Sequence, residues 1–292
     1  MKTIPAIDWK RADMLIALAL EEDLGEAGDV TTDSVIPEDL ITDAVFLAKE
    51  DLVCAGLPVA ERLFHKLDSS LRWEPLVKEG QFCPKGTLLA KVHGSARILL
   101  TGERTALNFL QRLCGVATAA KKYQDAAGTG CRILDTRKTT PGWRNLEKYA
   151  VAVGGAFNHR IGLYDRVMIK DNHRELAGLE GAGGITRSVE RARQMHPELE
   201  IEVEVDSLSE LAEAVSSGAE YILLDNMTDE QMAEAVKFVN GRARLEASGG
   251  ITLSRIPSAA RTGVDFISAG ALTHSVKSCD ISMDIQLPGE KK

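Results

Sequence analysis

The sequence predicts an α/β protein in two parts: a strand-rich, sandwich-like N-terminal region, and a C-terminal series of strand–helix units forming a (β/α) barrel, whole or partial. From Ala44 to Ile98, short apolar runs are cut by turn signals at Lys78-Glu79-Gly80, Pro84-Lys85-Gly86 and Gly94. Beyond residue 116 apolar strands recur, from Ile201 onward at intervals of roughly 20 residues with helical stretches between them, the mark of a parallel sheet. So many units on short connections favour a barrel over an open sheet.

Taken in order, Trp9–Leu24 reads as an amphipathic helix, with Met14, Leu15, Leu18 and Leu24 at helical spacing. Asp23 to Thr32 reads as a loop. One helix centred near Phe64 interrupts the strand region. The turns at Gly80 and Gly86 resemble those of biotinyl and lipoyl modules, but no lysine sits at a hairpin tip, so a swinging-arm carrier is excluded. Ile98–Gly115 is a strong helix carrying Arg104. The later strands are Ile133–Thr136, Arg166–Lys170, Ile201–Asp206, Tyr221–Asn226, Leu245–Ser248 and Phe266–Gly270, with helices at Leu208–Ser216 and Glu230–Val239. The tail Ile281–Leu287 alternates with period two and reads as an edge strand. The expected domains are therefore 1–115, joined by a returning segment 276–292, and 116–275.

The bulk composition narrows the function. The chain has 292 residues, 44% of them hydrophobic and 27% charged, with a net charge of −8. An acidic chain without a broad basic face is not a general nucleic-acid binder. Five scattered cysteines lack zinc or redox spacing, which fits reduced thiols in a cytoplasm. No run approaches about 18 apolar residues and Met1–Arg11 lacks an apolar signal core, so no membrane association is expected.

Against this acidic background, cations cluster. Asp135-Thr136-Arg137-Lys138-Thr139-Thr140-Pro141-Gly142 is followed by Asn158-His159-Arg160 and by Lys170-Asp171-Asn172-His173. Such a cluster suits a polyanion. Carboxylates arrive on Glu202-Val203-Glu204-Val205-Asp206 and at Leu224-Asp225-Asn226. In a barrel, alternate residues face the lumen. Glu202, Glu204 and Asp206 then share the lumenal face, and Arg166 and Lys170 on the neighbouring strand are their expected ion-pair partners. Strand ends carrying Arg137 and Lys138, Lys170, Asp206, Asp225 and Ser248 mark the mouth where barrel enzymes place their chemistry. The last two strands end in Ser248-Gly249-Gly250 and Ser268-Ala269-Gly270, small-residue turns suited to a phosphate. His159, lying between cationic strand ends, is read as a binding residue; His65, His93, His196 and His274 are read as structural or superficial. Metal-ligand spacing and a Gly-x-Ser-x-Gly elbow are both missing from the sequence.

These motifs, together with Glu103-Arg104-Thr105-Ala106-Leu107-Asn108, Gly154-Gly155 and Ala247-Ser248-Gly249-Gly250, resemble quinolinate phosphoribosyltransferase. The resemblance runs from about Leu24 to Leu287, with Trp143 and Met168 as small departures. It implies an N-terminal open-faced α/β sandwich and an incomplete α/β barrel. It also implies a homodimer joining quinolinate to phosphoribosyl pyrophosphate, with nicotinate mononucleotide, pyrophosphate and carbon dioxide as products. By motif, Arg104 would reach the neighbouring subunit's site, and Arg137, His159 and Arg160 would hold the quinolinate carboxylates. Thr136 lies in the substrate-binding motif. Lys138 and Lys170 would meet carboxylate and phosphate groups. Glu204 and Asp225 would bind the ribose and the Mg²⁺-bound phosphoribosyl group; with Lys138 they form the expected catalytic set. Ser248, Gly249, Gly250, Ser268, Ala269 and Gly270 would cradle the 5′-phosphate. Mg²⁺ would enter with the phosphoribosyl donor, and no organic cofactor is implied. Two alternatives stand beside this: a relative acting on nicotinate, which needs fewer cations, and a non-catalytic anion-binding homologue linked to molybdate uptake.

Overall fold

A computed structural model describes residues 4–286. The chain opens with α1 (Trp9–Leu24), α2 (Val30–Val35), β1 (Ile41–Ala48), β2 (Leu52–Val53), α3 (Leu57–Leu67), β3 (Arg72–Pro75), β4 (Phe82–Cys83), β5 (Leu88–Ser95) and α4 (Ala96–Ala127). It continues through β6 (Arg132–Leu134), α5 (Arg144–Val153), β7 (Val167–Ile169), α6 (Asp171–Gly178), α7 (Gly184–Met195), β8 (Ile201–Val205), α8 (Leu208–Ser216), β9 (Tyr221–Asp225) and α9 (Asp229–Val239). It closes with β10 (Arg244–Ser248), α10 (Ile256–Arg261), β11 (Phe266–Ser268), α11 (Ala271–His274) and β12 (Ile281–Gln286). The described residues form two compact units: residues up to 121, 139–155 and from 272 onward make one, and residues 122–138 and 156–271 the other.

The first unit is the open-faced α/β sandwich. Its antiparallel sheet runs β12-β1-β5-β3, with β12 at one edge paired to β1 from Asp43↔Gln286 to Ala48↔Ile281. Residues 287–292, including the Leu287 assigned to this strand from sequence, lie outside the described residues. Alternation along β1 buries Ala44, Phe46 and Ala48 on one face. There Phe46, Phe64 of α3 and Trp73 of β3 pack with ring centroids 5.4 to 6.1 Å apart.

Three local readings of the sequence need correction in this unit. The stretch read as a loop to Thr32 already contains the start of α2, because the Asp29 side chain accepts from the Thr32 N–H at 2.9 Å and caps it. The helix expected to end at Gly115 runs on to Ala127. Gly115 is a packing glycine: a Cβ there would sit 2.3 Å from the Lys277 carbonyl oxygen. The third is α5, unforeseen after Pro141-Gly142. It is held by the fully buried Glu147, whose carboxylate accepts from Arg112 at 2.7 Å and from the Thr140 N–H and hydroxyl at 3.1 and 2.9 Å.

The second unit is the incomplete (β/α) barrel. Its six strands are all parallel, in the order β6-β11-β10-β9-β8-β7. Among the described residues β6 and β7 do not pair, so the sheet stays open there. Strands β6, β7 and β11 are shorter than the sequence suggested, which places Thr136, Lys138 and Lys170 in the loops just beyond the strand ends.

Because Glu147 is the buried acceptor for Arg112 and Thr140 together, Glu147→Ala leaves a cation and two donors without their acceptor. Thermal unfolding of this variant is expected to show a loss of about 3 kcal/mol; a loss below about 0.5 kcal/mol, the range of surface changes, would contradict that role.

Candidate active site

The second unit holds a cavity of about 620 Å³ at the C-terminal ends of its strands. Strict alternation builds its walls: Met168 of β7 and Lys170 just after it, Glu204 of β8, Leu223 and Asp225 of β9, Glu246 and Ser248 of β10, and Ser268 of β11. Thr136, Arg137, Lys138, His159, Arg160, Asn226, Gly249 and Gly250 complete the lining. Twelve of the fifteen site residues expected from sequence line this one cavity, all but Arg104, Ala269 and Gly270.

The loop bearing His159 and Arg160 is brought beside the loop bearing Arg137 and Lys138 by one buried side chain. Asp135 is 0% exposed and accepts from Asn158 Nδ2 at 2.6 Å and from the His159 N–H at 2.8 Å. Backbone hydrogen bonds reinforce the join, from Asp135 to the Phe157 carbonyl and from Phe157 to the Ile133 carbonyl. The Lys138 N–H donates to Thr136 Oγ1 at 3.0 Å, which tightens the cationic turn. Burial, and then the nearby Arg137 guanidinium, push the Arg160 guanidinium below its ordinary range. Two guanidiniums in one partly buried place call for anionic charge between them.

Around β7 and β8, Lys170 Nζ meets Glu204 Oε2 at 2.5 Å and Arg166 Nη1 lies 3.5 Å from Glu202 Oε2. Both pairs were expected from the period-two phase of the two strands. Arg166 also lies over the Tyr221 ring, 4.1 Å from its centroid. Asp206 does not join them: it is exposed and bound at 3.0 Å by Arg174 of α6, which also takes Glu210. The strand-end carboxylate expected at the mouth thus anchors a helix.

Asp225 stands at the cavity wall, accepting from Asn226 Nδ2 at 2.7 Å. Its neighbour in register is Ser248. Gly249 has φ +85°, and a Cβ there would meet Asn226 Oδ1 at 2.2 Å, so both conformation and space require glycine. Ser248 to Gly250 do not open directly onto a helix, since α10 begins only at Ile256. In the other small-residue turn, the Ala269 N–H already donates to the Leu134 carbonyl at 3.0 Å. Arg104 lies exposed on α4 in the first unit.

Where His159 and Glu246 line the cavity they join the buried Glu202 in a group that the sequence motifs do not announce. His159 Nδ1 accepts from the Arg160 N–H at 2.7 Å, so Nε2 carries the hydrogen. That Nε2 meets Glu202 Oε2 at 2.9 Å and Glu246 Oε2 at 3.5 Å. Both carboxyls are buried, at 0% and 1% exposure. Glu246 went unnoticed although its phase with Ser248 marks it as lumenal.

The N-terminal domain of quinolinate phosphoribosyl transferase matches residues 29–114, and its C-terminal domain matches residues 116–284. The chloroplastic nicotinate-nucleotide pyrophosphorylase (carboxylating) of Arabidopsis thaliana is 44% identical over 300 residues, covering 96% of this chain and 84% of that one. A probable nicotinate-nucleotide pyrophosphorylase (carboxylating) of Bacillus subtilis is 42% identical over 271 residues, covering 92% and 91%. The structure of the nicotinate-nucleotide pyrophosphorylase from Francisella tularensis superposes with a TM-score of 0.91 at 36% identity, covering 97% of this chain and 99% of that one. On its two domains, fold and motifs, this chain belongs to the quinolinate phosphoribosyltransferase family.

Proposed function

We propose that this chain is a carboxylating nicotinate-nucleotide pyrophosphorylase of de novo NAD biosynthesis. It transfers the phosphoribosyl group of phosphoribosyl pyrophosphate to quinolinate and releases pyrophosphate and carbon dioxide. The observation that carries this is the cation set Arg137, Lys138 and Arg160 in one cavity whose lining also holds the carboxylates Glu204 and Asp225. A dianionic aromatic acid uses this density of positive charge; nicotinate, a monoanion, would leave part of it unbalanced.

Each role follows from side-chain chemistry. Arg137 and Arg160 offer planar forks to the quinolinate carboxylates, and His159 fixes Arg160 by accepting its backbone N–H. Lys138 and Lys170 act as point charges for carboxylate and phosphate. As pyrophosphate departs, the ribose becomes oxocarbenium-like, and the fixed carboxylates Glu204 and Asp225 stabilise that charge without reorganising. Ribosylation makes the ring nitrogen cationic; this charge stabilises the electron pair left on the adjacent ring carbon as carbon dioxide departs, and a proton then takes the carboxylate's place. Ser248 to Gly250 suit the 5′-phosphate.

Mg²⁺ fits the hard oxygen donors of this wall. Glu204 is already bound by Lys170, whereas Asp225 accepts from a neutral amide, so Asp225 is the carboxylate suited to a cation. Arriving with the phosphoribosyl donor, Mg²⁺ would offset the charge of the leaving pyrophosphate.

The reading includes a cytoplasmic homodimer in which exposed Arg104 serves the neighbouring subunit's cavity. No described helix is long and apolar enough to cross a membrane.

An assay with quinolinate, phosphoribosyl pyrophosphate and Mg²⁺, run beside one with nicotinate, tests the reaction. Nicotinate mononucleotide and carbon dioxide are expected from quinolinate, with loss of turnover on chelation; product from nicotinate alone, or from neither acid, would overturn the assignment. For the shared site, Arg104→Ala and Lys138→Ala should each abolish most activity. A mixture with exchanged subunits should recover roughly a quarter of it through the single intact site of each hybrid dimer. A fully exchanged mixture without recovery would contradict the contribution of Arg104 in trans.

A further inference from the structure

The cluster of His159, Glu202 and Glu246 at the cavity lining poses a charge problem. Glu202 and Glu246 approach the same His159 nitrogen, and the ligand atoms of all three residues lie within 4.8 Å of one another. Arg166, at 3.5 Å from Glu202, is the cation nearest this group among the described ion pairs. Two buried carboxylates this close repel, and one cation offsets only one of them. Either a proton or a metal ion would relieve the second charge. A metal ion would have to displace the hydrogen on His159 Nε2, since Nδ1 is taken by the Arg160 N–H, and it would face the Arg166 guanidinium. A proton has neither obstacle.

We propose that Glu246 is a positioning residue of this site: a neutral carboxylic acid that donates a hydrogen bond to the Glu202 carboxylate, holds it on His159 and Arg166, and keeps a second negative charge out of the anion pocket. Burial, followed by the charge of Glu202, pushes the Glu246 carboxyl well above its usual range. Burial alone would also raise Glu202, but the His159 hydrogen bond and Arg166 outweigh it and hold that carboxyl low. The pair is thus one acid and one anion. From β10 the acid reaches the β8 carboxylate, which orients the His159 ring, and the ring in turn holds the Arg160 backbone. The consequence for substrate rests on the quinolinate reading above; the protonation itself does not.

The first test needs no substrate. An infrared difference spectrum between the wild-type protein and Glu246→Gln at neutral pH should contain the carbonyl stretch of a protonated carboxylic acid, absent from the variant. A spectrum without that band would overturn the proposal. So would failure of Glu246→Gln to fold, because an amide is an isosteric neutral donor. So would one tightly held metal ion per wild-type chain that the variant loses. In calorimetric titrations, Glu246→Ala should weaken quinolinate binding roughly tenfold or more, and Glu246→Gln should recover it to within about threefold. Phosphoribosyl pyrophosphate affinity should move less than about threefold in either. Equal losses in both variants, or equal losses for both substrates, would contradict a positioning role. A wild-type protein indifferent to quinolinate would count against the proposed reaction, and the infrared result would still decide the state of Glu246.

Discussion

The arrangement of the site depends on one buried carboxylate. Asp135 follows β6, and its two oxygens bind Asn158 and the His159 backbone. The two segments so joined are separated by α5 in sequence, and a single bridge, Leu134 to Phe157, links them. A buried carboxylate accepting charge-assisted hydrogen bonds is strong and directional, and it is costly to leave unpaired. It holds two loops together as one cationic wall. Like charges such as Arg137 and Arg160 would otherwise separate in solvent; fixed together, they form a site whose repulsion an anion relieves.

The strand-borne part of the lining is built by other means. Parallel strands put alternate residues into the lumen, so a chain can place polar groups there without disturbing the packing behind them. Val203 and Val205 fill the outer layer while Glu202 and Glu204 point inward, each met by a cation from the loop or strand beside it. The two kinds of wall, cationic on loops and anionic on strands, suit a reaction in which an anionic acceptor meets a ribose that becomes positive.

What could be read in the sequence was what repeats. The period-two phase of β8 against Arg166 and Lys170 predicted both ion pairs, and the recurrence of strands predicted the parallel sheet. Single events were harder to read. Gly115 looked like a helix stop and is instead a point of close contact with Lys277; only the tertiary neighbour distinguishes the two. Asp206 looked like a mouth carboxylate because it continues the phase of Glu204, yet the strand ends at Val205 and Arg174 captures it. Helix α5 hid behind a cationic motif whose second half, from Thr139, belongs to the first unit, where Glu147 binds Thr140. The phase of Glu246 with Ser248 places it on the lumenal face but says nothing of its role, which lies in a histidine and a second acid far away in the chain.

The measurement that bears most directly on this account is a calorimetric titration of quinolinate into Asp135→Ala, with thermal unfolding followed in parallel. The account predicts a folded protein, unfolding cooperatively, whose quinolinate binding is weaker by roughly tenfold or more because the His159–Arg160 loop has lost its tether. A folded variant that binds quinolinate as tightly as the wild type would show that the cationic wall stands without Asp135, and would contradict it.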